Sequence, residues 1–166
     1  MSDNCLKRIR ERQSIRRYSD EAIPDADIEE ILIAGFSVPS AGNRQTWRVV
    51  LVRRQDFKER LSAAAGGQTF LAKAPIVFVI CAVPEESAER YGERGRRLCA
   101  IQDAAALVLN LLLAAHVLGY ATCWIGAFNE VQVVRLLSIP KEIRPVAIVP
   151  VGKAMGNMPL NPFAEQ

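Results

Sequence analysis

The chain has 166 residues, half of them hydrophobic and 23% charged, with a formal charge of +3. This balance suits one folded domain with its own core and is too apolar for disorder. It is also too weakly basic for a dedicated nucleic-acid binder, whose cations dominate one face.

A first helix is expected from just after Ser2 or Asp3 to near Arg12, with Leu6, Ile9 and Arg10 on one face. "PDADIEEILIAGF" then sets Asp25 as N-cap of a second helix. Ile28, Ile31, Leu32, Gly35 and Phe36 follow at the spacing of a single buried stripe. "VPSAGNRQT" is turn chemistry and "WRVVLVRR" a β-branched strand. A helix over about 56–65 is stopped by Gly66 and Gly67. "APIVFVICAV" is continuously apolar, as a strand buried on both faces is.

The arginine-rich "ERYGERGRRLC" reads as a loop or frayed helix. "AIQDAAALVLNLLLAAHVLG" is a helix apolar nearly all round, which places it centrally or at an oligomer contact, with Gly119 as its C-terminal stop. "YATCWIG" is a strand. "NEVQVVRLLSIP" is a short helix that opens on Asn129, with Gln132 three residues on. "RPVAIVPVG" is the last strand, and the tail "KAMGNMPLNPFAEQ" is irregular. Strands and helices in this order predict about four strands with helices on both faces.

No apolar leader opens the chain, and the apolar run over 104–118, interrupted by Asn110 and His116, falls short of a membrane span. Cys5, Cys81, Cys99 and Cys123 show neither C-x-x-C nor zinc-like spacing. Three of them sit in apolar sequence, the pattern of buried thiols in a reducing compartment. A cytoplasmic, soluble protein is the expectation.

His116 is the only histidine and lies in the most apolar helix, so it is expected to be satisfied in the core or used at an interface. A Ser-His-Asp triad and a histidine-rich metal site are thereby disfavoured. No G-x-G-x-x-G follows a strand, and no P-loop signature occurs. What remains is a site of cations, amides and exposed backbone. Arg12, Ser14 and Arg16 alternate in the extended segment after the first helix, so they point one way and suit a phosphate, or else they form a solvated basic surface. Ser40, Asn43, Arg44 and Gln45 offer mixed hydrogen bonding suited to a heterocycle edge, or simply build a helix-to-strand turn. Ile125-Gly126 either ends a strand or lets a planar ligand approach the backbone.

Taken together and in order, five stretches resemble the nitroreductase family of FMN-dependent oxidoreductases. They are "RQSIRRYSDEAIP", "PSAGNRQTWRVVLV", "LAKAPIVFVICA", "YGERGRRLCAIQDAAALVLNLLLAAHVLGYATCWIGAF" and "RPVAIVPVGKA". The likeness spans nearly the whole chain and is to a short member without long insertions. It implies an α+β fold, a three-layer α-β-α sandwich around a mixed, mainly antiparallel sheet, with 1–166 as a single domain. It also implies an intertwined homodimer with FMN at the subunit interface, which gives the all-round apolar helix a partner chain to bury against.

Carried over residue by residue, the resemblance implies that Arg12 and Ser14 meet the phosphate. Arg16 reaches the pyrimidine edge, where a cation stabilises the charge left by reduction. Gln13 contributes between them, Ser40, Asn43 and Gln45 come from the other subunit, and Gln68 offers an amide to the pyrimidine. Gly126, after Ile125, presents its N–H toward flavin N5. Where many members carry an arginine or lysine–arginine pair in the tail, this chain has Lys153: either Lys153 substitutes, or the cofactor is held less tightly, or the chain has moved to another use. The implied reaction passes two electrons from NAD(P)H via N5 to a small planar acceptor, a nitroaromatic or quinone, by a ping-pong mechanism. Reductive dehalogenation, flavin breakdown and non-catalytic flavin binding are the alternatives on the same fold. Nucleic-acid binding through Arg94, Arg96 and Arg97 is disfavoured by the surrounding Glu85, Glu86, Glu89 and Glu93, and no membrane partner is expected.

Overall fold

The computed structural model describes residues 2–156, with side chains from residue 5 onward. The irregular tail expected after Lys153 lies outside the described residues from position 157. The chain runs α1 (Ser2–Glu11), α2 (Asp25–Phe36), β1 (Trp47–Val52), α3 (Gln55–Ala64), α4 (Phe70–Lys73), β2 (Ile76–Ala82) and α5 (Pro84–Arg94). It continues through α6 (Ala100–Val117), β3 (Ala121–Thr122) and α7 (Glu130–Leu137) to β4 (Arg144–Gly152). The sheet order is β1-β2-β4-β3 and every ladder is antiparallel. A parallel bridge from Ser14 to Thr122 adds the segment after α1 outside β3, so the sheet is mixed at that edge.

The central strand shows how one sequence period builds three layers. Side chains alternate faces along a strand. Ile76, Phe78, Ile80 and Ala82 of β2 therefore enter a core with Ile28 and Ile31 of α2 and Ala104, Leu107 and Leu111 of α6. Val77, Val79 and Cys81 enter the opposite core with Leu61 of α3, Leu71 of α4 and Val133 and Leu136 of α7. Gly35 sets the closeness of α2 to α6, because a Cβ there would collide with Leu111.

Three local expectations change. Pro24, with φ fixed at −56°, is the N-cap of α2, and Asp25 is its first helical residue, where its charge and that of Asp27 favour the positive helix end. Of the two expectations for the arginine-rich segment, a loop or a frayed helix, the helix is what forms: α5 leads through a π-turn (Gly95–Cys99) into α6, with the break at Gly92 (φ 56°, ψ −142°). The resulting Pro84–Val117 helix passes a membrane span's length and hydropathy criteria, contrary to the reading from 104–118 alone. Its buried stripe of Ala100, Ala104, Leu107, Val108, Leu111 and Ala115 is nonetheless that of a core helix.

The third change is in "YATCWIG", which pairs with β4 at Ala121–Thr122, lapses, and returns at Ile125↔Ile148 in the same register. Ile125 and Ile148 exchange both backbone bonds at 2.9 Å. Cys123 and Pro150 would form the next such pair, but Pro150 has no N–H to give. The ladder opens there for that reason.

Cys81 and Cys123 are buried, Cys99 is half-buried and Cys5 is exposed; all are free thiols. His116 is not satisfied within the described chain, since its buried Nε2 has no hydrogen-bond partner.

Candidate functional site

The segment after α1 is extended because it is stitched to the sheet edge. Ile15 N–H donates to the Thr122 carbonyl at 2.8 Å, Ser19 N–H to Lys153 at 2.9 Å, and Met155 N–H to Arg17 at 3.0 Å. Tyr18 packs beneath this strap, and its hydroxyl donates to the Ile15 carbonyl at 2.6 Å. Gly152 permits the contact: a Cβ there would lie 2.7 Å from Pro75 Cδ and 3.2 Å from Tyr18 Cβ.

Extended geometry then does what alternation predicts. Arg12, Ser14 and Arg16 all act on the same group, the Cys123 thiol. Burial raises its pKa most strongly, while the Arg16 charge, a hydrogen bond from Ser14 and the Arg12 charge pull it down. Neither Arg12 nor Arg16 has a carboxylate partner among the described residues, whereas Arg44, Arg48, Arg96 and Arg144 are all ion-paired. Arg16 instead lies over the Phe70 ring, 5.9 Å from its centroid. That contact brings in Gln68, two residues earlier, whose amide donates to the Ala65 carbonyl at 2.9 Å.

On the other flank, Cys123 leads through Trp124 and buried Ile125 to exposed Gly126. A Cβ on Gly126 would meet nothing closer than Trp124 Nε1 at 3.9 Å, so the backbone there is open to approach. Lys153 lies on the same edge through its backbone, but its ammonium is engaged by Glu21. Gln13 lies half-buried between the two arginines. The structure thus assembles Arg12, Gln13, Ser14, Arg16, Gln68, Ile125, Gly126 and Lys153 at one side of the sheet.

Ser40, Asn43 and Gln45 are elsewhere. They form a tight loop before β1, with left-handed backbone at Gly42 (φ 57°), Asn43 (φ 54°) and Gln45 (φ 53°). Ser40 Oγ accepts from Gln45 N–H at 2.9 Å. Asp103, a carboxylate 6% exposed in the first turn of α6, accepts from Ala41 N–H at 2.9 Å and from the Thr46 hydroxyl at 3.3 Å. Arg44 is held outward by Glu89 and by the Glu86 carbonyl.

The registers fix how far apart the two groups are. Ser14 pairs with Thr122, which is level with Val151 and Ile76, one row beyond Val52; the loop enters β1 at its other end, Trp47. Four interstrand steps of ~4.8 Å and about six residues of ~3.3 Å rise put them on the order of 25 Å apart, at opposite corners of the sheet. No one small ligand touches both within a single chain.

Two residues escaped the sequence reading. Asp103 carried a signal, since a lone carboxylate in an apolar helix must find donors. Cys123 carried none beyond its apolar context, because only the strap brings two guanidinium groups to it.

Solved structures share this architecture. B. megaterium NfrA2 superposes with a TM-score of 0.87 at 27% identity, over 95% of this chain and 69% of that one. In sequence, an Archaeoglobus fulgidus protein provisionally named NADH dehydrogenase/NAD(P)H nitroreductase is 37% identical over 154 residues, 90% of this chain and 85% of its own length. A Bacillus subtilis FMN reductase [NAD(P)H] is 28% identical over 90% of this chain and 66% of its own length. The family model described as Nitroreductase family matches residues 9–70 and 62–153. The chain belongs to the nitroreductase family.

Proposed function

We propose that this protein is an NAD(P)H-dependent flavin oxidoreductase that works as a homodimer, each FMN site being completed by the partner copy. The observation that carries the reading is the pair of unspent guanidinium groups, Arg12 and Arg16, converging with Ser14 beside an open glycine. Accessible cationic donors without carboxylate partners, one half-buried and one exposed, suit an anionic ligand, and an unobstructed backbone suits a flat one. The donor set fits FMN. Relatives named FMN reductase and NADPH nitroreductase support the same cofactor and donor.

Arg12 and Ser14 hold the phosphate, with Gln13 between them. Arg16 supplies a fixed cation at the polar ring edge, with Phe70 beneath its guanidinium and Gln68 alongside. Gly126 offers its N–H, and Ile125 anchors that offer by its double bond to Ile148. Lys153 reinforces the phosphate end once Glu21 releases it. Ser40, Asn43 and Gln45 of the partner subunit close the site, which explains why the chain carries them on the far corner of its own sheet. Exposed Leu6 and Ile9 on α1, Ile33 and Phe36 on α2, Leu109 and Val117 on α6 and Leu118 at its C-terminal cap supply the apolar face for the twin.

Held by these residues, FMN would supply two-electron chemistry between NAD(P)H and a small planar acceptor such as a nitroaromatic or quinone. Donor and acceptor use one open face in turn, so the kinetics are ping-pong. No acid or base of the chain is required at this site. Anaerobic mixing of the yellow protein with NADPH or NADH tests the reading: the flavin band bleaches and returns on adding a quinone. Protein that binds no FMN, or a bound flavin that neither nicotinamide bleaches, refutes it.

A further inference from the structure

The outer wall of the Ser40–Gln45 loop is made by α5, and its charges are unevenly spent. Glu85 and Glu93 pair with Arg96, Glu93 also with Arg97, Glu86 with Arg48, and Glu89 with Arg44. Every acid of α5 is therefore neutralised, and two of these pairs clamp the helix to the loop and to β1. Arg90 is exposed and has no carboxylate partner among the described residues. It lies instead against the Tyr91 ring, 5.7 Å from the centroid.

The loop is shaped to admit this pair. A Cβ on Gly42 would collide with the Tyr91 hydroxyl and lie 3.2 Å from Arg90 Nε and 3.3 Å from its Cζ. Gly42 lies between Ala41 and Asn43, two residues after Ser40, and α5 breaks immediately after Tyr91, at Gly92. An oriented, uncompensated guanidinium thus stands at the rim of the loop that completes the cofactor site.

Building on the oxidoreductase reading, we propose that Arg90, oriented by Tyr91, is a specificity determinant for the electron donor. It receives the phosphate monoester on the adenosine ribose and so selects NADPH over NADH. A dianionic phosphate matches the fork of a guanidinium. A small planar acceptor is no larger than the ring it stacks on, whereas a nicotinamide dinucleotide extends past the ring to the rim. The phosphate that distinguishes the two donors is the one group that an extra cation there can read.

Two measurements test this. Calorimetric titration of the flavin-loaded protein compares adenosine 2′,5′-bisphosphate with ADP. The bisphosphate binds about tenfold or more tighter to the wild type, and R90Q removes the difference. In steady state, R90Q lowers the NADPH-over-NADH ratio of kcat/KM by a similar factor through KM for NADPH, and R90K restores part of it. Equal binding of the two nucleotides to the wild type, or an unchanged ratio in R90Q, overturns the proposal. Failure of both nicotinamides to bleach the flavin would instead sink the oxidoreductase reading, and the nucleotide titrations would still decide the role of Arg90.

Discussion

Replacing Asp103 with alanine gives a sharp test of how the Ser40–Gln45 loop is held. The carboxylate is 6% exposed and accepts from Ala41 N–H and the Thr46 hydroxyl, and Thr46 itself is fully buried. Truncation orphans both donors, at about 1–3 kcal/mol each, while alanine's better helix propensity returns about 0.5 kcal/mol. The net expectation is destabilisation of about 3 kcal/mol. With an m-value of about 2 kcal/mol/M in urea, the midpoint falls by about 1.5 M. The assay is equilibrium urea unfolding at matched protein concentration, because the stability of the proposed dimer would depend on it. Adding Thr46→Val to the alanine variant should change little further, since the two side chains share one interaction. FMN affinity should fall as well, because Ser40 and Asn43 ride on this loop. A midpoint unchanged within about 0.2 M, or full additivity of the two substitutions, would refute the reasoning.

Arg12→Ala and Arg16→Ala should each weaken FMN binding by about 10- to 100-fold in a fluorescence-quenching titration, the loss of charge-assisted bonds; unchanged affinity in both contradicts the site. Gly152→Ala should lower stability by about 1–3 kcal/mol through overpacking against Pro75 and Tyr18, read as a reduced melting temperature, and a neutral result denies the tight strap. The Tyr120 phenol, whose hydroxyl donates to Asp27, has its pKa pushed up to about 12, chiefly by burial and then by that bond. Its neutral form is favoured on folding, so the contribution is complete below the unfolded value of about 10 and disappears as pH rises through about 12. Unfolding across that range should show a shallower alkaline decline in Tyr120→Phe than in the wild type, and identical declines would count against it.

Much of this architecture was legible because hydrophobic period reports burial directly. The unbroken "IVFVICA" had to be covered on both faces, and it splits between two cores residue by residue. The failures are equally physical. Gly92 and the arginines around it left a loop and a frayed helix both open, because sequence does not show that Glu85, Glu86, Glu89 and Glu93 each find an arginine partner. Pro150 did carry a legible signal, a missing donor, but locating the lapse opposite Cys123 requires the register. At the site, alternation correctly aligned Arg12, Ser14 and Arg16. Ser40 and Asn43 could be grouped with them only by resemblance, since within one chain they lie across the sheet.

Mixing two damaged chains tests the shared site most directly. Arg12→Ala injures the phosphate end. Asn43→Gly removes the amide while tolerating the left-handed backbone at that position. Each variant alone should bind FMN poorly. After subunit exchange, half of the dimers are mixed and each of those holds one undamaged site, so tight binding should return to about one quarter of the sites. No recovery beyond the two separate variants, with exchange verified, would contradict a cofactor clasped between two copies of this chain.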